Sequence, residues 1–142
     1  MKIELKNHEL VPAINFLSGM VVKANEGRPV TKFKKLVVTA VEELHESQME
    51  LIHQFGRKDE NEQLIPAEDG NGYMLEPSTS AEYARELNKL YDEEVLIDTG
   101  IHEKIIGKLS GILESYEVEI SGEDAEIYDR LLEEFEKEEN YA

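Results

Sequence analysis

Asp98-Thr99-Gly100 follows the branched apolar run Val95-Leu96-Ile97, and Ile105-Ile106-Gly107 comes soon after it. These are the two local signatures of an aspartic protease, in which two facing carboxylates share one proton and activate a water. One Asp-Thr-Gly could serve only through a symmetric dimer, in a mostly β chain whose second apolar-apolar-glycine element lies far downstream. Here the two elements almost touch, and helical periodicity dominates the chain. A three-residue motif without its structural context carries little. Asp98 or Thr99 is expected instead to end a strand and cap the helix that follows. No catalytic residue is assigned.

Two further patterns could hold metal. Glu42-x-x-His45 and Glu50-x-x-His53 each match the Glu-x-x-His element of di-iron carboxylate bundles, where the two elements come from different helices facing one cavity. Both lie on one expected helix, roughly 12 Å apart at helical rise, so a monomer cannot bring them to one metal pair. His45 and His53 are expected at the boundary of core and solvent. Met49 stands where a His-Glu-x-x-His zinc motif would need its second histidine. A calcium loop starting at Asp69 would put Tyr73 and Ser80 where oxygen ligands and a bidentate Glu are wanted, so "AEDGNGY" reads as a turn. Neither a metal nor a cofactor is expected.

The stretch "EGRPVTKFKK" is different, because helix design does not account for it. If Thr31 caps a helix, Lys32, Lys34 and Lys35 fall in its first turn, where the helix dipole makes each exposed cation unfavourable by roughly 0.3–1 kcal/mol. Arg28, Lys32, Lys34 and Lys35 around a helix start would suit a phosphate or carboxylate, from a partner or from the chain's own acidic half; the alternative is a cluster that is merely solvated, as surface charges usually are. Pairing with the acidic C-terminal helix is the favoured arrangement.

The chain has 142 residues and no cysteine, with a net charge of −17. That length suits one domain with its own core, and the missing cysteine removes disulfides, thiolate zinc and a thiol nucleophile. The charge is divided. Residues 1 to 58 hold nine Lys or Arg against seven acids, while residues 59 to 142 hold six against twenty-five. So acidic a second half repels nucleic acid and suits a basic partner, or an imitation of nucleic acid; the plainer reading is that the charge keeps the domain dispersed and soluble. The opening "MKIELKNHEL" lacks an apolar signal core and "AINFLSGMVV" is too short to span a bilayer. A soluble, cytoplasmic protein is expected, with no membrane contact.

The elements that must position these residues follow from periodicity. Leu10, Ile14, Leu17 and Val21 give a first helix, with Asn7 as cap, ending near Gly27. Phe33, Val37, Val41, Leu44, Gln48, Leu51, Ile52 and Phe55 give a long second helix closed by Gly56. The short link between them predicts an antiparallel hairpin over residues 1 to 58. Residues 59 to 78 read as an acidic loop or small hairpin, with Leu64-Ile65 and Tyr73-Met74-Leu75 around a glycine turn. In the acidic helical segment 79 to 142, Thr79 and Glu82 form a capping-box pattern for a third helix. Val95 to Ile97 reads as a strand that could pair with Val118 to Ile120, and residues 102 to 116 as a helix weakened by Gly107 and Gly111. Ser121 and Asp124 cap a last helix with the stripe Ile127, Leu131, Leu132 and Phe135. The fold class is mainly α with a small β element, in one domain.

The opening "IELKNHELVPAINFL", the long lysine-rich second helix, the bridge "LIHQFGRKDENEQLIPAEDGN", then "ELNKLYDEEVLID" and a closing acidic helix resemble the phage proteins of Gram-positive hosts grouped as domain of unknown function 1617. The resemblance implies a bacteriophage or prophage origin and supplies no site residue. The expected function is protein–protein binding to a viral or host partner, in a role accessory to virion or tail assembly. The alternative is an anti-defence role, in which the acidic half imitates nucleic acid and inhibits a host nuclease. An enzyme acting through Asp98 or the Glu-His pairs comes third.

Overall fold

The structure, a computed structural model, describes residues 1–140, with side chains described through Glu139. The chain is mainly helical with one small antiparallel sheet. It divides into two compact units, one of residues 1–41 and 94–142, the other of residues 42–93. The division falls inside the long second helix and not at the change of composition near residue 58, because side-chain packing and not charge decides which segments cohere.

The first unit is built around strands β1 (Lys2–Lys6) and β2 (Glu94–Asp98). They pair antiparallel, with Lys2 opposite Asp98, Glu4 opposite Leu96 and Lys6 opposite Glu94. Alternation sends Ile3, Leu5 and Ile97 inward to full or nearly full burial. The opposite face carries the charged rungs. Sequence periodicity located β2 but named the wrong partner: residues 118 to 120 form no strand, and β1 takes that place. β1 is only five residues long and looks polar, since alternate positions are Lys, Glu and Lys.

Helix α1 (Asn7–Gly19) buries Leu10, Ala13, Phe16 and Leu17. It begins on the β1 side of Asn7, which is itself helical and buried, while the Glu9 carboxylate accepts the Lys6 N–H at 2.7 Å. It stops at Gly19, so Val21 lies outside it and is exposed. Helix α2 (Ala24–Phe55) starts before Thr31, the expected cap, and runs through Pro29. Lys23 precedes it, with its N–H bonded to Glu26 at 3.1 Å. The side-chain bond at the helix start thus comes from Glu26 and not from Thr31. The link between α1 and α2 is short as expected, yet the helix that lies along α1 is α6, and the hairpin is not established by the packing.

Helices α4 (Glu103–Ile106) and α5 (Leu109–Glu114) replace the single helix expected over 102 to 116. The break falls at Gly107, where the low helix propensity of glycine costs about 1 kcal/mol. Helix α6 (Glu123–Asn140) buries Ile127, Leu131 and Phe135, the stripe its spacing predicts, with Leu132 half-buried. Phe135 meets Phe33 of α2 edge-on at 5.3 Å between ring centroids. Phe16 packs edge-on to Tyr116 and Tyr128, at 6.0 and 5.9 Å. Each such ring pair adds about 0.5–1.5 kcal/mol beyond its buried area.

The second unit holds the rest of α2, helix α3 (Ser80–Asp92) and the chain between them. That intervening chain folds back twice. Gly56 bridges Leu75, Lys58 bridges Leu64, and Pro66 bridges Tyr73. Asp59 and Asp69 organise the turns by accepting the N–H groups of Asn61 and Asn71 at 2.8 and 2.9 Å. Gly56 is required where α2 closes, since a Cβ there would collide with the Ile52 carbonyl and the Leu64 side chain. Thr79 stands at the start of α3 without a side-chain cap bond, so the expected capping box with Glu82 does not form. No α3 residue is fully buried; Tyr83 touches Phe55 edge-on and the Tyr91 hydroxyl takes a hydrogen bond from Gln48.

Candidate functional site

Asp98 ends β2, and its carboxylate accepts the Gly100 N–H at 3.0 Å, a turn-forming bond. Thr99 is buried, and both its N–H and its hydroxyl donate to the Met1 carbonyl, at 3.0 and 3.2 Å. The Asp-Thr-Gly stretch therefore fastens β2 to the beginning of β1. Each hydrogen bond that the structure gives Asp98 and Thr99 serves this local geometry.

His45 and His53 are exposed, not at the core boundary, and Glu42 and Glu50 are exposed with them. Among the described residues no three His, Asp or Glu side chains converge as a metal site would require. The turn at Asp69 is closed by main-chain bonds, with Gly70 and Gly72 at positive φ.

A cleft of about 220 Å³ lies beside Phe135 and Ser110, rimmed by Glu103, Glu138 and Glu139. The Met1 ammonium sits in it against Glu103. The hydrogen bond that the ammonium donates to Glu103 raises its pKa; burial opposes this, and the charges of Glu103, Glu138 and Asp98 add to the rise. The chain thus supplies this acidic cleft with its own cation.

The four basic residues singled out by the sequence are placed differently from expectation. Because α2 begins at Ala24, Arg28, Lys32, Lys34 and Lys35 lie in later turns, and no free N–H groups accompany them. The dipole conflict disappears with the same correction, since that effect decays within the first turn and the first turn here carries Glu26. The four do not form one ring. At 100° per residue, Arg28, Lys32 and Lys35 share one face over about 10 Å, while Lys34 points roughly 200° away from Lys32. Arg28 and Lys35 are exposed, Lys32 and Lys34 half-buried.

Pairing with the acidic C-terminal helix is also not found. Among the described residues, none forms an ion pair with Arg28, Lys32, Lys34 or Lys35. The ion pairs of α6 go elsewhere: Arg130 binds Glu134 and, at 3.2 Å, Glu9, and Lys137 binds Glu134 at 3.0 Å. What remains is a basic ridge of Arg28, Lys32 and Lys35 on a strongly acidic chain. Sequence reading found its residues and misjudged its setting, because the helix boundary was placed at the more obvious capping residue.

Sequence reading missed the group formed by Arg130 and Glu134. Glu134 is 4% exposed. Its carboxylate accepts the Glu4 N–H at 3.3 Å, while Arg130 donates to the Glu4 carbonyl at 3.0 Å. Burial pushes the Glu134 pKa up, but hydrogen bonds from Arg130 and Lys137 outweigh it and hold the carboxyl below its ordinary value. The i, i+4 spacing of Arg130 and Glu134 was the available signal.

A family model described as Protein of unknown function (DUF1617) matches residues 1–141. The chain belongs to that family. No curated protein and no solved structure matches it. No helix among the described residues is long and apolar enough to cross a membrane.

Proposed function

We propose that this member of the family works by binding another protein, not by catalysis. The observation that carries the reading is the ridge of Arg28, Lys32 and Lys35, left without an ion pair among the described residues of a chain whose net charge is −17. In a chain with 32 acidic residues against 15 basic ones, a basic ridge that engages no carboxylate among the described residues is available to an acidic surface elsewhere. The partner is an acidic face of a viral or host protein. The order of elements shared with phage proteins of Gram-positive hosts supports a bacteriophage or prophage origin. In that setting the work is accessory to virion or tail assembly, in the host cytoplasm or on the particle.

A second reading has its own observation. The exposed residues Glu126, Asp129, Glu133 and Glu136 follow one another along α6 at helical spacing. A row of carboxylates of this kind suits imitation of a phosphate backbone and inhibition of a nucleic-acid enzyme of the host's defence. Capture from infected cells separates the readings. The first predicts partners lost on reversing Arg28, Lys32 and Lys35 to Glu and retained in excess nucleic acid. Partners displaced by nucleic acid, and indifferent to the ridge, would overturn it in favour of mimicry.

A further inference from the structure

The rung that joins Glu4 to Leu96 shows where the small sheet ends and where it does not. In an antiparallel pair, main-chain N–H and C=O groups point alternately toward the partner strand and away from it. At Glu4 both groups point away, because its N–H goes to Glu134 and its C=O to Arg130. The opposite residue, Leu96, must then also turn its N–H and C=O outward. The free edge of β1 is closed by α6. Leu96 has no such cover: among the described residues nothing bonds its main chain, and it is 61% exposed.

Open edges are ordinarily blunted by charged side chains, lysine above all, by proline, by a bulge or by shortness. β2 is short, but Glu94-Val95-Leu96-Ile97-Asp98 holds no lysine, proline or bulge, and its only charges are acidic. Its ends are exposed acids, and its own ladder shows what complements them. β1 sets Lys2 against Asp98 and Lys6 against Glu94, with Ile3 and Leu5 against Ile97 and Val95. The same face also carries surplus negative charge. A hydrogen bond to Glu94, and then the charge of Glu94, raise the Glu4 carboxyl's pKa above its ordinary value.

We propose that the free edge of β2 takes up a third strand from a partner protein, an extended segment with three apolar residues flanked at each end by Lys or Arg. The flanking cations meet Glu94 and Asp98, and the main chain satisfies the outward groups of Leu96, as in strand addition generally. A second copy of this chain does not fit. Its β1 edge is closed by Arg130 and Glu134, and antiparallel pairing of β2 with itself would set Glu94 against Asp98 of the other copy.

The test uses the full chain and a capped nine-residue peptide with the central sequence Lys-Ile-Val-Leu-Lys, against a control with Glu at both flanking positions. Hydrogen exchange at the Leu96 amide should slow at least tenfold with the basic peptide and remain unchanged with the acidic one. Leu96→Pro removes an N–H that bonds nothing within the sheet, so the fold should persist while binding falls at least tenfold. Should proline disturb the sheet, the milder Glu94→Gln with Asp98→Asn gives the independent reading: the basic peptide weakens at least tenfold and loses its advantage over the acidic one. No protection of Leu96 at millimolar peptide, equal protection by both peptides, or binding untouched in a folded variant would overturn the proposal. Protection that tracks self-association of the chain alone would overturn it too.

Discussion

Replacing Glu134 by Ala should destabilise the first unit by about 3 kcal/mol, at the lower end of the range for breaking a buried ion pair. The Glu134 carboxylate receives Arg130, the Glu4 N–H at 3.3 Å and Lys137 at 3.0 Å. Hydrogen bonds to a charged group contribute about 1.5–3 kcal/mol each, and the long one to Glu4 belongs at the bottom of that range. Lys137 is half-exposed, so its share is about 0–1 kcal/mol. Arg130 keeps Glu9 and the Glu4 carbonyl, which limits the penalty of leaving it without Glu134. Glu134→Gln retains an acceptor and should cost less, about 1–1.5 kcal/mol. The pH dependence has a definite sign. Folding holds Glu134 below 4.5, so its contribution is complete above that value and falls away as pH drops through the folded value. Urea unfolding of wild type, Glu134→Ala and Glu134→Gln at pH 7 and in acid measures this, with exchange at the Glu4 amide as the local reading. The difference between wild type and Glu134→Gln should shrink in acid. A change below about 0.5 kcal/mol for Glu134→Ala, or a difference that does not depend on pH, would refute the assignment of this pair as the closure of the β1 edge.

Glu94→Gln should raise stability slightly at neutral pH and lose that advantage in acid. The folded Glu4 pKa is raised, so the Glu4 contribution is favourable below the unfolded value and is lost as pH rises through the folded one; thermal melts across pH check this. Gly56→Ala should cost about 1–3 kcal/mol, because the new methyl meets the Ile52 carbonyl and Leu64, and limited proteolysis should then open residues 57 to 79 first. Asp98→Asn should leave capture through the Arg28, Lys32 and Lys35 ridge intact and change stability by no more than about 0.5–2 kcal/mol, as a turn-forming side chain would; peptide cleavage abolished by this substitution would show instead that Asp98 is catalytic.

Helices and buried stripes were legible in the sequence wherever one period governed a long segment. Phe33, Val37, Leu44 and Phe55 on α2, and Ile127, Leu131 and Phe135 on α6, are buried as their spacing requires. Boundaries were less legible. Thr31 looked like a cap, yet α2 continues through Pro29 back to Ala24, because burial of Pro29 and Val30 against the core offsets the helical hydrogen bond that Pro29 cannot donate. The pairing of β2 was illegible for a related reason. Three of the five residues in Lys2-Ile3-Glu4-Leu5-Lys6 are charged, and its closeness to β2 is produced by the fold, at a separation that no local pattern reports. The basic ridge lay between these cases: its residues were readable one by one, whereas their common face depended on where the helix began.

The central claim is that Arg28, Lys32 and Lys35 engage an acidic protein surface. Thr39 is exposed, one helical turn beyond Lys35, and suits a photoreactive side chain that does not disturb the ridge. Illumination in the infected host should give a discrete protein adduct that disappears when Arg28, Lys32 and Lys35 are reversed to Glu, with a melting temperature unchanged within a few degrees, as for other surface substitutions of about 0.5 kcal/mol or less. An adduct of equal yield from the reversed ridge, or no adduct from the intact one, would contradict the account.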